Sequence, residues 1–236
     1  MGSSMLLKPL REEVLDANLD LVRRGLVMYT FGNVSGIARA EGLVAIKPSG
    51  VPYEKMAVAD IVITDLDGRV VEGTLRPSVD LATHLVLYRA FPAIGGVVHT
   101  HSRHATVWAQ AGREIPCFGT THADYFRGAV PVTAPLAAAD IEGDYERNTG
   151  EAILRRFAGL DPAEFSAVLV HGHGPFVWGR SASAAAHTAV ILEELARMAA
   201  ETLAINPAAT PISEAQRDLH FLRKHGPNAR YGQKLG

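Results

Sequence analysis

The sequence has almost no cysteine: Cys117 is the only one among 236 residues. A lone cysteine cannot form an internal disulfide, and without a Cys-x-x-Cys pair the chain lacks the usual thiolate zinc site. This usage is typical of a reducing compartment, so we expect a cytoplasmic protein. The sequence also lacks any apolar run of about 18 residues, and we therefore expect no membrane partner.

No charge of one sign is in excess. The chain carries 23 basic and 25 acidic side chains, for a formal net charge of −2, so no nucleic-acid partner is expected. Hydrophobic residues make up 47% and charged residues 20%, which is typical of a folded globular protein. The length favours a single domain, which we place at residues 5–236. We interpret Met1–Ser4 as an expression scar.

Hydrophobic spacing predicts helices interspersed with short strands. A first helix should end at Gly25, Ser78 should cap a second helix carrying Leu81, and the longest helix should cover residues 184–203. A sheet covered by helices on both faces, an α/β fold, is the expected architecture. The remaining elements are strands at 44–47, 61–64, 70–71, 97–101, 167–171 and 176–178, and helices at 103–111, 142–157 and from 213 onwards.

Histidines are concentrated in two short segments. His99 and His101 follow an apolar strand, where alternate residues point the same way and two imidazoles can face one point. His173, set between two glycines after another apolar strand, could supply a third imidazole. Three imidazoles and a carboxylate such as Asp80, either as an oxygen ligand or beside the metal, are typical of a catalytic zinc site.

Other interpretations of these histidines are open. A single His-x-His in a strand is more often surface or core histidine than a ligand pair. Two such segments, each after an apolar strand and each followed or flanked by small residues, favour the metal. His104 falls on the next helix and should pack or support the site. His171 either binds beside His173 or orients it.

Six segments together resemble the class II sugar-phosphate aldolase/epimerase family, and the resemblance extends from Met5 onwards. The resemblance implies a three-layer α/β/α fold with a central mixed, mostly antiparallel sheet. It also implies a homotetramer with active sites at subunit interfaces. The segments are Val97–Ser102, Val170–Gly174, Gly32–Ser35, Lys47–Gly50, Gly119–Asp124 and Tyr231–Gln233.

The resemblance implies one divalent metal per subunit, usually Zn²⁺ although other divalent ions fit, held by His99, His101 and His173 with Asp80 at the same centre. The implied reaction interconverts L-ribulose 5-phosphate and D-xylulose 5-phosphate, small pentulose phosphates of arabinose catabolism. The C3–C4 bond is broken and re-formed, because C4 is not adjacent to the ketone at C2. The resemblance assigns the two proton carriers to Asp124 and Tyr231, which reach the site from the neighbouring subunit.

A phosphate group needs donors and positive charge. Lys47, Ser49 and Gly50 offer an ammonium, a hydroxyl and backbone N–H groups in one turn, although alone they indicate only an ordinary proline turn. Val79 departs from the family, which commonly has a second serine there, and a valine cannot donate a hydrogen bond. The substrate-binding residues that complete the predicted site, most of them by the resemblance, are Asn33, Ser78, Thr120, Glu146, His220 and Arg223.

Two other functions are compatible with the resemblance. A class II aldolase would use the same metal but release a free aldehyde; such aldolases typically carry a glutamate at the position of Asp80, so the aspartate favours the epimerase. A non-catalytic oligomerisation domain is the third candidate. Retention of all three histidines argues against it, because a structural module has no reason to gather imidazoles.

Overall fold

A computed structural model describes residues 5–227 and residue 229, so Tyr231 and Met1–Ser4 lie outside the described residues. Seven strands form one sheet, in the order β4-β3-β2-β1-β5-β7-β6. The strands are β1 (Asn33–Ala38), β2 (Leu43–Ile46), β3 (Val62–Asp65), β4 (Val70–Glu72), β5 (Gly96–His99), β6 (Ala167–Val170) and β7 (Gly174–Gly179).

All neighbouring strands named here pair in antiparallel fashion. A parallel pairing occurs at the isolated bridge between Val132 and Leu169. The mostly antiparallel character of the predicted sheet is therefore confirmed, and the parallel pairing lies at an isolated bridge outside the named strands.

Helices cover both faces of the sheet. Alternate strand residues enter different cores: Val98 packs with residues of the first, third and seventh helices, and Val97 packs with residues of the second and sixth. This arrangement confirms the three-layer α/β/α architecture. The helices are α1 (Lys8–Arg23), α2 (Leu81–Ala90), α3 (Arg103–Gln110), α4 (Thr120–Ala123), α5 (Ala138–Glu142), α6 (Tyr145–Arg156), α7 (Ala182–Ile205) and α8 (Glu214–His225).

The sequence prediction was wrong in three places. It missed β1, whose small residues include Gly36; a Cβ there would lie 2.8 Å from Leu10 Cδ1 of α1, so close helix packing replaces bulky strand residues. It made Ser78 the cap of α2, whereas Asp80 occupies the N-cap position. It also started the helix of residues 142–157 too early and missed α5, because α6 begins only at Tyr145, where Asp144 caps it through a hydrogen bond from the Arg147 N–H.

None of the helices in the described part of the chain is long and apolar enough to span a membrane. The two tryptophans, Trp108 and Trp178, are 5% and 1% exposed and belong to the two cores. The predicted first helix ends as expected, with Gly25 at a φ of +71°, where glycine is the favoured residue.

Candidate active site

Three histidines converge where β5 and the β6–β7 turn meet. His99 is the last residue of β5, His101 follows two residues later, and His173 lies in the turn before β7. The Nε2 atoms of His99 and His101 are 3.1 Å apart, and those of His101 and His173 are also 3.1 Å apart. The antiparallel pairing of β5 with β7, which sets His99 opposite Phe176, places these distant segments side by side.

This cluster fits a divalent metal. Tetrahedral zinc with Zn–N distances of 2.0–2.1 Å separates its nitrogen ligands by about 3.3 Å, close to the spacing found here. The ligand atoms of the three histidines lie within 4.8 Å of one another. His99 Nδ1 lies 3.0 Å from the Pro175 carbonyl oxygen, which can only accept, so Nδ1 carries the proton and Nε2 presents its lone pair.

Burial keeps these imidazoles neutral, the form that binds metals. Burial lowers the pKa of His99 and of His101, and the carboxylate of Asp80 only partly opposes this. Burial, together with the two neighbouring histidines, lowers the pKa of His173 to about 4.

Asp80 stands beside the histidines. The tightly convergent group of possible ligands among the described residues consists of the three histidines without Asp80. The Nδ2 amide of Asn33 donates to Asp80 Oδ2 at 2.6 Å. Burial would raise the pKa of Asp80, but the nearby imidazoles and this hydrogen bond outweigh it and lower the pKa. The geometry therefore favours the second of the two sequence interpretations, a carboxylate beside the metal.

A cavity of about 390 Å³ opens above the histidines. Its walls bring together most of the predicted substrate residues with the three converging histidines. These wall residues are Asn33, Lys47, Ser49, Gly50, Ser78 and Glu146, next to Asp80, His99, His101 and His173.

Lys47 is buried within this wall, with 2% of its surface exposed. Its Nζ donates to the Pro48 carbonyl oxygen at 3.2 Å and lies 4.7 Å from the centre of the Tyr53 ring. Burial lowers the pKa of Lys47 to about 8. A desolvated ammonium beside a turn rich in donors suits an anionic group.

The other predicted residues form a second cluster. Asp124 follows α4 and its Oδ1 accepts from Arg223 Nη2 at 2.9 Å and lies 3.1 Å from His220 Nδ1, both on α8. Lys224 Nζ lies 3.5 Å from Asp124 Oδ2. Burial opposes the ionised form, but these bonds outweigh it and lower the pKa of Asp124. Neither these residues nor Thr120 line the cavity of the same chain within the described residues.

The two remaining histidines near the cluster, His104 and His171, differ in their contacts. His104 Nδ1 lies 2.8 Å from Glu193 Oε1 on α7, so His104 supports the segment that follows His101, as expected. His171 points elsewhere: its Nε2 would lie 2.7 Å from a Cβ at Gly112. The described structure therefore does not support a direct role for His171 at the metal, because its ring packs under α3.

The family model for the class II aldolase and adducin N-terminal domain matches residues 12–200. The chain belongs to this family. L-ribulose-5-phosphate 4-epimerase UlaF from Salmonella paratyphi B is 55% identical over 228 residues, which cover 97% of this chain and all of the relative. UlaF from Salmonella typhi shows the same identity and coverage.

Solved structures of class II aldolase family members share the fold. An L-fuculose 1-phosphate aldolase superposes with a TM-score of 0.78 at 26% identity, over 93% of this chain and 97% of the other. YgbL from Klebsiella pneumoniae, described as a putative aldolase/epimerase/decarboxylase, superposes with a TM-score of 0.73 at 26% identity, over 92% and 99%.

The class II aldolase fold places three further side chains that the sequence analysis did not single out. Phe31 lines the cavity, and its ring lies 6.3 Å from that of His101. Tyr145 also lines it, with its Oη 3.3 Å from His173 Nδ1. His84 is fully buried behind Asp80, and its Nδ1 lies 2.7 Å from Ser35 Oγ. Phe31 precedes the recognised segment Gly32–Ser35 and Tyr145 precedes the predicted residue Glu146, and this proximity was the available signal in the sequence.

Proposed function

We propose that this protein interconverts L-ribulose 5-phosphate and D-xylulose 5-phosphate by inverting the configuration at C4. The observation that carries the proposal is the convergence of three Nε2 atoms within one polar cavity, at 3.1 Å spacings. The 55% identity with an L-ribulose-5-phosphate 4-epimerase over its whole length supports the substrate.

The chemistry follows from where the ketone lies. A C4 carbanion would not be adjacent to the C2 carbonyl, so direct deprotonation at C4 gains no stabilisation. Removal of the C4 hydroxyl proton instead lets the C3–C4 electron pair move to C3. The products are the enediolate of dihydroxyacetone and glycolaldehyde phosphate. Once the aldehyde has presented its other face, the C3–C4 bond forms again and the proton returns to the C4 oxygen.

His99, His101 and His173 would hold a divalent metal, which we propose to be zinc, with Asp80 beside it. When bound, such a metal supplies Lewis-acid stabilisation of negative charge on substrate oxygens. The scale is set by zinc-bound water, because zinc lowers the pKa of that water to about 7, which corresponds to about 12 kcal/mol. A positioned acid or base contributes about 3–5 kcal/mol, so loss of a histidine ligand should cost more than loss of a proton carrier.

The phosphate is proposed to bind at the turn formed by Lys47, Ser49 and Gly50, with Ser78 next to it, since the Ser78 N–H donates to the Lys47 carbonyl oxygen at 3.0 Å. All four residues line the cavity beside the histidines. The Ser49 N–H is bonded to the Arg76 carbonyl oxygen, so the hydroxyl of Ser49 is the group available to the substrate. Asn33 and Glu146 are proposed to contact the sugar. Asn33 Oδ1 is buried and, among the described residues, has no hydrogen-bond partner.

Proton transfer is proposed to come from the second cluster, across a subunit boundary. Asp124, His220 and Arg223 lie together but outside the cavity of their own chain. We propose a four-fold homotetramer in which this cluster, with Thr120 and Tyr231, faces the cavity of a neighbouring copy. Exposed apolar side chains near the cavity support an interface there: Tyr29 is 87% and Phe31 is 56% exposed.

An aldolase activity is the second candidate, because L-fuculose 1-phosphate aldolase shares the fold at 26% identity. Purified protein incubated with L-ribulose 5-phosphate, followed by NMR, separates the candidates. The epimerase yields D-xylulose 5-phosphate without free glycolaldehyde phosphate, and a chelator stops the reaction. Accumulation of glycolaldehyde phosphate would instead indicate an aldolase. No conversion at all would favour the non-catalytic oligomerisation domain and overturn the proposal.

We further infer that residues 5–236 form one catalytic domain. The cytoplasmic location and the expression scar at Met1–Ser4 stay predictions from the sequence.

A further inference from the structure

Tyr145 meets one of the three histidines from the side opposite the cluster. It is the first residue of α6, and its Oη lies 3.3 Å from His173 Nδ1. The two ring centroids are 6.0 Å apart, with 35° between the ring planes. His173 Nε2, on the other edge of the imidazole, lies 3.1 Å from His101 Nε2. One edge of His173 therefore faces the metal cluster and the other faces a phenol hydroxyl.

His99 shows how the ring nitrogen that faces away from the cluster is held: it carries the proton and donates a hydrogen bond. Its Nδ1 donates to the Pro175 carbonyl oxygen, which fixes the proton on Nδ1 and directs the Nε2 lone pair inward. A neutral imidazole carries one ring proton, so a ligating Nε2 requires Nδ1–H. For His173 the only group in the described structure found at Nδ1 is the hydroxyl of Tyr145, whose oxygen can accept that proton.

We propose that Tyr145 is a positioning residue that sets the tautomer and the ring orientation of His173. Its hydroxyl oxygen accepts the Nδ1–H of His173, as the Pro175 carbonyl does for His99. Partners of this kind raise the basicity of metal-binding histidines and hold their rings in place. The inference rests on the metal centre of the proposed function, but it assigns a role to a residue that contacts no metal itself.

The packing of α6 explains how Tyr145 is held. The Thr83 hydroxyl of α2 donates to the carbonyl oxygen of Glu146. Further along α6, Gly150 lies so close to α2 that a Cβ there would be 2.7 Å from Val86 Cβ. The α2–α6 pair thus carries Tyr145 at the start of one helix and Asp80 at the start of the other. Tyr145 Oη lies 3.3 Å from His173 Nδ1, and the carboxylate of Asp80 interacts electrostatically with the same imidazole. His173 itself lies in the turn before β7.

The first test is zinc affinity, measured by competition with a chromophoric chelator on the metal-stripped full-length chain. Tyr145→Phe keeps the ring and removes the acceptor. Zinc affinity should fall about 10- to 100-fold, with an unchanged melting temperature of the metal-free chain. Tyr125→Phe is the matched control, because its Oη is also 3.3 Å from a histidine nitrogen, Nε2 of His187, away from the cavity. Its zinc affinity should stay within twofold of the unaltered protein.

The second test reads the tautomer directly, by ¹⁵N NMR of histidine-labelled, metal-free protein with His173 assigned from a His173→Gln variant. His173 should carry its proton on Nδ1 in the unaltered chain and become a mixture in Tyr145→Phe. A purely structural role for Tyr145 would leave this signal unmoved.

The outcomes separate the two levels of inference. If the unaltered chain binds no zinc, the metal centre of the proposed function fails, and the role of Tyr145 fails with it. If the unaltered chain binds zinc and Tyr145→Phe binds it equally well, or the His173 tautomer is the same in both, only the role of Tyr145 is overturned.

Discussion

The carboxylate of Glu193, on α7, accepts the backbone N–H of His104 at 2.8 Å and that of Ala105 at 3.0 Å. These are N–H groups of the first turn of α3, which have no partner within their own helix. Because α3 begins two residues after His101, the cap from a distant helix also fixes the chain segment that carries one of the three converging histidines.

Glu193→Gln should therefore destabilise the fold by about 1–2 kcal/mol, the usual effect of losing a charged cap. Burial alone would raise the pKa of Glu193, but the hydrogen bonds from Ala105 and His104 outweigh it and lower the pKa. The cap therefore contributes its full stabilisation at pH values above 4.5, the pKa of Glu193 in the unfolded chain. This stabilisation is lost as the pH falls through the lower pKa of the folded protein. Urea unfolding at pH 7 and at acid pH measures both effects.

The matched control for this cap is Glu194→Gln, one residue along α7, where the carboxylate pairs with Arg197 on the surface. It should leave the free energy of unfolding within about 0.5 kcal/mol. Equal stability of the two variants at pH 7 would contradict the capping role of Glu193.

His101→Ala should abolish turnover and release most of the metal, because one of three converging nitrogens is lost. We expect at least a 1,000-fold fall in activity, on the order of the electrostatic contributions typical of metal sites. Metal content by atomic spectroscopy and activity are the measurements. His187→Ala, an exposed histidine away from the cavity, should keep both. Full activity in metal-free protein would contradict the proposed metal-dependent mechanism.

Asp124→Asn should reduce epimerisation about 10²- to 10⁴-fold, the range for a positioned acid or base, and leave metal content intact. The control is Asp218→Asn on α8, where the carboxylate pairs with Arg127 and Arg217 instead. It should retain activity. Simultaneous loss of metal and activity in Asp124→Asn would reassign Asp124 to a structural role.

Sharing of sites between subunits can be tested with two inactive variants, Asp124→Asn and His99→Ala. Mixed by co-expression or refolding, they should recover up to about a quarter of the sites if each site joins two subunits through a head-to-tail interface. Each variant alone should stay inactive. Hybrids as inactive as the parents would show that the two clusters serve the same chain.

Val79→Ser should improve substrate binding. Val79 is 66% exposed and lines the cavity next to Ser78, where a hydroxyl would add a charge-assisted hydrogen bond to the phosphate. Such a bond contributes about 1.5–3 kcal/mol, so KM should fall about 10-fold or more while kcat stays similar. Val79→Ala, which shortens the side chain without adding a donor, is the control. An unchanged KM in Val79→Ser would place the phosphate elsewhere.

The histidine cluster was predictable from sequence because it depends on local rules. A spacing of two residues placed His99 and His101 on one side in the prediction, although the strand predicted at 97–101 ends at His99 and His101 follows it. Glycines on either side of His173 mark a tight turn. The six recognisable segments then indicated the family. The spacing of residues along one strand could not predict that β5 pairs with β7, and this pairing places His173 beside His99.

Features that arise from packing between elements were not predictable. β1 is recognisable only once α1 is seen lying against Gly36, since its sequence has few bulky strand residues. The contact between Tyr145 and His173 depends on where α2 holds α6. The predicted site divides into two clusters because Asp124 and the cavity wall belong to different parts of one subunit, and no local pattern encodes the distance between them.

The burial of Lys47 couples substrate binding to the protonation state of its side chain. An ammonium with a pKa of about 8 is about half deprotonated in mildly alkaline solution. A phosphate dianion bound beside Lys47 would favour the protonated ammonium, so substrate binding would be accompanied by uptake of a proton from the buffer. Conversely, deprotonation of Lys47 at alkaline pH would lower the affinity of the pocket for the phosphate group of the sugar.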